Sequence, residues 1–74
     1  MKTIAVIPAY NEARAISEVV TSVSSYVDEV VVVDDGSTDE TFVLASKAGA
    51  KVLRHFINRG QGAALQTEIG RAHV

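Results

Sequence analysis

No cysteine occurs anywhere in the chain. A disulfide framework and a thiolate metal site are therefore excluded, and the redox compartment is left open. Neither sign of charge dominates: seven Lys and Arg stand against nine Asp and Glu, for a net charge of −2. Without a basic stripe, nucleic acid is not an expected partner. Long apolar runs are missing too. The opening run, residues 3–8, is too short for the apolar region of a signal peptide and far short of the roughly 20 residues that span a bilayer. The expectation is a cytoplasmic chain with no membrane segment of its own. Repeats, low-complexity tracts and linkers are absent, and proline occurs once, at Pro8.

Several nucleotide and catalytic signatures are also missing. No Gly-Lys-Ser/Thr follows the glycines near residue 60, so there is no P-loop. The G-x-G-x-x-G fingerprint is absent after the first apolar run, which counts against an NAD-binding domain. No Ser-His-Asp or His/Glu metal constellation is visible, and His55, alone at a strand end, reads as packing or surface.

What is present is 74 residues, 47% of them hydrophobic. That is one small domain, burying only about 60% of its unfolded surface. Its centre is residues 30–33, four consecutive valines, followed by Asp34, Asp35 and Gly36. A continuous β-branched run predicts a central parallel strand buried on both faces. Ligands bind at the carboxyl end of such strands, so the two aspartates arrive at a candidate site.

The flanking elements follow in order. Residues 3–7 predict a first strand stopped by Pro8. Asn11 reads as an N-cap, and Ile16, Val19, Val20, Val23 and Val27 form one apolar stripe of a helix over residues 12–27. Ser37 and Glu40 have capping-box spacing ahead of a second helix that ends near Ala48, with Gly49 as its stop. Residues 51–54 predict a third strand, residues 55–62 a loop, and a third helix begins at Ala63. The order β-α-β-α-β-α with short connections predicts an α/β fold: an open parallel sheet, Rossmann-like, with helices on its faces and one edge of the first strand free.

Two segments carry the chemistry. Pro8, Ala9, Tyr10, Asn11 and Glu12 place an aromatic ring, backbone groups and a carboxylate over the end of the first strand, a set that suits a nucleoside. Read structurally, the same residues are a strand stop, an N-cap and a first-turn acid, which accounts for Asn11 and Glu12 adequately. Asp34-Asp35-Gly36 has three readings. Recognition of a nucleobase by Asp35 ranks first, a plain Asp-Gly turn close behind, and a divalent metal third. The metal ranks last because neighbouring residues on a strand point to opposite faces. The segment Asn58, Arg59, Gly60, Gln61 and Gly62 could cradle phosphate at a helix start, though two glycines do not make a motif.

Together, residues 4–12, residues 30–41 and residues 58–64 resemble the start of a family 2 glycosyltransferase with the GT-A fold. In order and spacing they cover nearly all of residues 3–67. The last segment is most similar to the branch containing polyprenyl- and dolichyl-phosphate mannose or glucose synthases. The resemblance implies a nucleotide-diphosphate sugar donor (a UDP- or GDP-sugar) and an acceptor such as a polyprenyl phosphate or a glycan. It also implies that Pro8, Ala9, Tyr10 and Glu12 line the nucleoside site, that Asp35 binds the base, and that Asp34 is an accessory in the same turn. Mg²⁺ or Mn²⁺ is implied for a full-length member, held by an Asp-x-Asp that this chain does not contain, and the catalytic base is likewise not among its residues. A full-length parent could then attach to the cytoplasmic face of a membrane. Two readings from other classes stand beside this one. A non-catalytic nucleotide-binding or interaction module would need no further residues, whereas a nucleotidyltransferase would want a glycine-rich basic loop where Pro8 to Glu12 stand.

Residues 68–74 depart from the family pattern. Ile69 to Val74 can be encoded by ATCGGAAGAGCACACGTC, part of a common sequencing-library adapter whose next triplet is a stop. The expected organisation is residues 1–67 as the N-terminal nucleotide-binding part of the domain and residues 68–74 as a non-native tail. Such a piece would be inactive alone.

Overall fold

The valine run forms β2 (Glu29–Asp34), the strand on which two neighbours and both helices assemble. A computed structural model describes residues 1–58 and 64–71, with side chains through His55. The elements are β1 (Ile4–Ala9), α1 (Ile16–Ser24), β2, α2 (Thr41–Lys47), β3 (Lys51–Asn58) and β4 (Ala64–Arg71), in one sheet ordered β1-β2-β3-β4. β1, β2 and β3 are parallel, with Val6 opposite Val31 and Val32 opposite Val52. The expected open parallel α/β sheet is therefore present, with β1 at one edge.

Right-handed crossovers that step always in the same direction place both helices on one face of the sheet. Burial alternates along β2 accordingly: Val30, Val32 and Asp34 are buried and Val31 and Val33 only half-buried. The expected burial on both faces is thus met on one. Val32 and Val52 from the sheet meet Ile16 and Val20 from α1 and Ala45 from α2 in a single core. Full burial of valine and isoleucine side chains contributes roughly 1.5–3 kcal/mol each. On β1, Ile4 and Val6 stay 52% and 63% exposed.

Four local expectations are corrected. β1 continues through Pro8 to Ala9. Ala9 accepts from the Asp35 N–H at 2.9 Å, so the alternating backbone of Pro8 faces the free edge, where a missing N–H costs no ladder bond. Helix α1 starts at Ile16, not at residue 12, and Asn11 is not its N-cap. Asn11 has φ +51°, a left-handed backbone from which an N-cap cannot lead into a helix. Ser37 and Glu40 make no capping box. Ser37 spends its hydroxyl on Asp34, and the Thr41 N–H is met by Asp39 at 2.9 Å instead. Helix α2 does end as expected, at Gly49 with φ +106°.

The third helix expected from Ala63 is overturned. Residues 64–71 are β4, antiparallel to β3, with Ala64 opposite Asn58 and Arg71 opposite Lys51. Leu65, Thr67 and Ile69 alternate with Gln66, Glu68 and Gly70, a period of two rather than 3.6. Thr67 and Gly70 are also poor helix formers, and the lengthened β3 offers an edge to pair with. The phosphate-cradle expectation falls largely on residues 59–63, outside the described residues.

Candidate functional site

The carboxyl ends of β1 and β2 carry two loops, residues 10–15 and residues 35–40, and a hydrogen-bonded seam joins them. Its pattern is a relay from backbone N–H to hydroxyl to carboxylate, made twice. In the first relay the Asn11 N–H donates to Ser37 Oγ at 2.8 Å, and the Ser37 hydroxyl donates to Asp34 Oδ1. In the second the Glu12 N–H donates to Thr41 Oγ1 at 2.8 Å, and the Thr41 hydroxyl donates to Asp39 Oδ1. Each carboxylate fixes the direction of a hydroxyl rotor, which leaves a hydroxyl lone pair aimed at the other loop. Three more bonds close the seam. The Thr38 N–H donates to Asn11 Oδ1 at 2.8 Å, the Thr38 hydroxyl to the same atom at 3.3 Å, and the Ala13 N–H to Asp39 Oδ2 at 3.2 Å.

Asp34 lies beneath this seam. Its side chain is fully buried, accepts the Ser37 N–H at 3.0 Å, and faces Arg54 Nε of β3 at 3.5 Å. The Arg54 guanidinium also lies 4.2 Å from the centroid of the Phe42 ring of α2, a cation–π contact. One charged group thus links β2, β3 and α2 directly under the turn at Gly36, which has φ +76°.

The residues singled out in the sequence divide into two sets. Pro8, Tyr10, Glu12 and Asp35 are exposed on this edge, Tyr10 at 57%. Among the described residues, the carboxylates of Glu12 and Asp35 and the phenol of Tyr10 have no hydrogen-bond or ion-pair partner. Ala9 and Asp34 are buried, and so reach the site only through backbone or through what they hold in place. Asp34 is buried while Asp35 is exposed, and no group of three or more His, Cys, Asp or Glu side chains gathers anywhere among the described residues. Sequence reasoning missed Asn11, Ser37, Thr38, Asp39 and Thr41 as a seam, and missed Arg54 and Phe42 altogether. The parity of β2 was the available signal. Asp34 sits two and four residues from buried Val32 and Val30, so its carboxylate must point inward and find a partner.

Electrostatics supports the seam. The Thr41 hydroxyl, with the N–H groups of Thr41 and Ala13 behind it, holds the Asp39 carboxyl below its ordinary value of 3.8. A depressed folded-state pKa means the contribution is fully present above the unfolded value and is lost as pH falls through the folded one. At neutral pH the Asp39 end of the seam is intact, and it loosens only as pH falls through the depressed value below 3.8. The Ala13 amide proton should therefore titrate in NMR spectra with a midpoint below 3.8, and Asp39→Asn should abolish that titration. A midpoint at or above 3.8 would contradict it.

A family model described as Glycosyl transferase family 2 matches residues 4–73. An uncharacterized protein of Methanocaldococcus jannaschii is 46% identical over 65 residues, covering 86% of this chain and 27% of that protein. The glucosyl-3-phosphoglycerate synthase of Mycolicibacterium smegmatis is 46% identical over 52 residues, 65% of this chain and 17% of that one. The crystal structure of the M. tuberculosis glucosyl-3-phosphoglycerate synthase superposes with a TM-score of 0.63 at 43% identity, over 72% of this chain and 21% of that structure. The chain thus spans about a quarter or less of the length of these relatives.

Proposed function

The chain belongs to glycosyltransferase family 2, and from that premise we propose that it supplies the donor-binding side of an enzyme that transfers a hexosyl unit from a nucleoside-diphosphate sugar. One observation carries the assignment. Two loops at the ligand-binding edge of an open α/β sheet are tied to each other through their backbones and small hydroxyls, while Tyr10, Glu12 and Asp35 remain exposed and without partners. A rigid frame that leaves one aromatic face and two carboxylates unengaged suits a nucleoside.

Asp35 accepts an N–H from the base, Tyr10 offers its ring as an apolar wall, and Glu12 accepts from the ribose hydroxyls. Pro8 lines the floor, and Ala9 contributes through its backbone. Asp34 does not touch the nucleotide; it holds the turn that presents Asp35. The divalent cation that would offset phosphate charge as the nucleotide leaves has no ligand set among the described residues.

The test is an NMR titration of the 74-residue chain with UDP and with GDP. The expected result is a saturable shift of the Tyr10, Glu12 and Asp35 amides with one of the two, and little change in α2 or at Asp28. Saturation without any shift at Tyr10 and Asp35, or no binding at millimolar nucleotide, would overturn the assignment.

A further inference from the structure

We propose that Asn11 is a positioning residue that sets the spacing between Tyr10 and Asp35, and so tunes affinity for the nucleotide without touching it. The proposal rests on the nucleotide-binding assignment above. Among the described residues Asn11 is the one non-glycine with a positive φ, +51°. Asparagine is among the few side chains enriched in that conformation. The left-handed turn aims both of its hydrogen-bonding groups at the second loop. Its N–H reaches Ser37 and its Oδ1 receives Thr38, each at 2.8 Å.

The location of these bonds is what makes Asn11 a positioning residue rather than a support of the fold. Asn11 lies between Tyr10 and Glu12 in the chain, and its partners lie two and three residues beyond Asp35. It therefore joins the two loops between the groups assigned to the nucleotide. It is exposed and stands outside the apolar core. Other ties keep β1 and β2 in register without it: the Asp35 N–H to the Ala9 carbonyl, the Glu12 N–H to Thr41, and the Ala13 N–H to Asp39. Loss of the Asn11 carboxamide thus frees the loop tips while leaving the sheet and its core in place.

Two substitutions separate the backbone role from the side-chain role. Asn11→Gly keeps the left-handed backbone and removes the acceptor. Asn11→Asp keeps an acceptor and tolerates the same φ. In the 74-residue chain, titrated with UDP and GDP in 0.15 M salt to screen the added charge, N11G should bind at least about 5-fold more weakly, the scale expected for one lost loop-ordering hydrogen bond. Its urea midpoint should stay close to that of the parent, and hydrogen exchange at the Thr38 amide should accelerate. N11D should restore Thr38 protection and bring affinity back to within about 3-fold of the parent. N11G that binds like the parent, or that leaves Thr38 exchange unchanged, overturns the positioning role while the nucleotide assignment stands. Failure of the parent chain itself to bind either nucleotide overturns both.

Discussion

Replacing Asp34 with alanine is expected to remove a large fraction of the stability of the 74-residue chain. The side chain is fully buried, with two oxygens shared among the Ser37 N–H, the Ser37 hydroxyl and Arg54 Nε. Removing one partner of a buried ion pair costs about 3–5 kcal/mol in general, and Arg54 keeps its contact with the Phe42 ring when Asp34 is gone. Arg54 is 26% exposed, so water relieves part of this and the lower end of the range applies. A domain carries roughly 0.05–0.15 kcal/mol of stability per residue, which for 74 residues is on the order of 4–11 kcal/mol. The loss is then a large fraction of the total, and the Ser37 hydroxyl loses the acceptor that orients it toward Asn11. Asp34→Asn should fall between, since the amide oxygen still accepts from Ser37 while the carboxylate charge facing Arg54 Nε is removed. Urea denaturation followed by circular dichroism measures both. An Asp34→Ala chain that unfolds at the parent's midpoint would show that Asp34 is not the tie between β2 and β3.

The parts of this fold that were readable in the sequence are those set by apolar pattern and by glycine. Residues 30–33 had to be a strand, the crossovers had to be right-handed, and Gly49 had to end α2, because its φ of +106° suits no other residue well. The parts that were not readable are those where a polar side chain had a choice of partners. Ser37 and Asn11 both look like helix caps, since a short polar side chain near a helix start usually bonds the nearest free N–H. Here each bonds elsewhere: Ser37 donates to Asp34 in its own segment and accepts from Asn11 across the gap, and Asn11 accepts from Thr38. Asp34 is a charged acceptor already in place for Ser37, and Thr38 presents its N–H to Asn11. Local rules cannot weigh a partner 26 or 27 residues away. The same limit explains β4. Ala63 and Ala64 favour helix, but β3 runs four residues past the expected 51–54 and pairs along that extension with residues 64–67, which could not be read from either segment alone. Arg54 followed the same logic. It stands two residues past buried Val52 on the face shared with Asp34 and Phe42, and only the register of β2 against β3 brings those three together.

The second large effect is expected at the neighbouring residue, and it runs the other way. Asp35→Ala should leave the fold intact and weaken nucleotide binding by about 10- to 100-fold, since a hydrogen bond to a charged group is worth about 1.5–3 kcal/mol and each 1.4 kcal/mol is tenfold. The asymmetry between two adjacent aspartates follows from the end of β2. Asp34 is the last residue of the strand and points into the core, whereas Asp35 contributes only its N–H to the fold, to the Ala9 carbonyl at 2.9 Å, and alanine keeps that bond. With an exposed carboxylate that has no partner among the described residues, Asp35 has little stability to lose, and its removal should change unfolding by no more than about 0.5 kcal/mol. Paired urea denaturation and UDP or GDP titration of Asp35→Ala test both halves. Unchanged affinity would remove Asp35 from the base site. A large drop in the urea midpoint would mean that its carboxylate serves the fold, so that any loss of binding would no longer report on recognition. Only stability held and affinity lost together fit a carboxylate left outside the seam for a ligand to use.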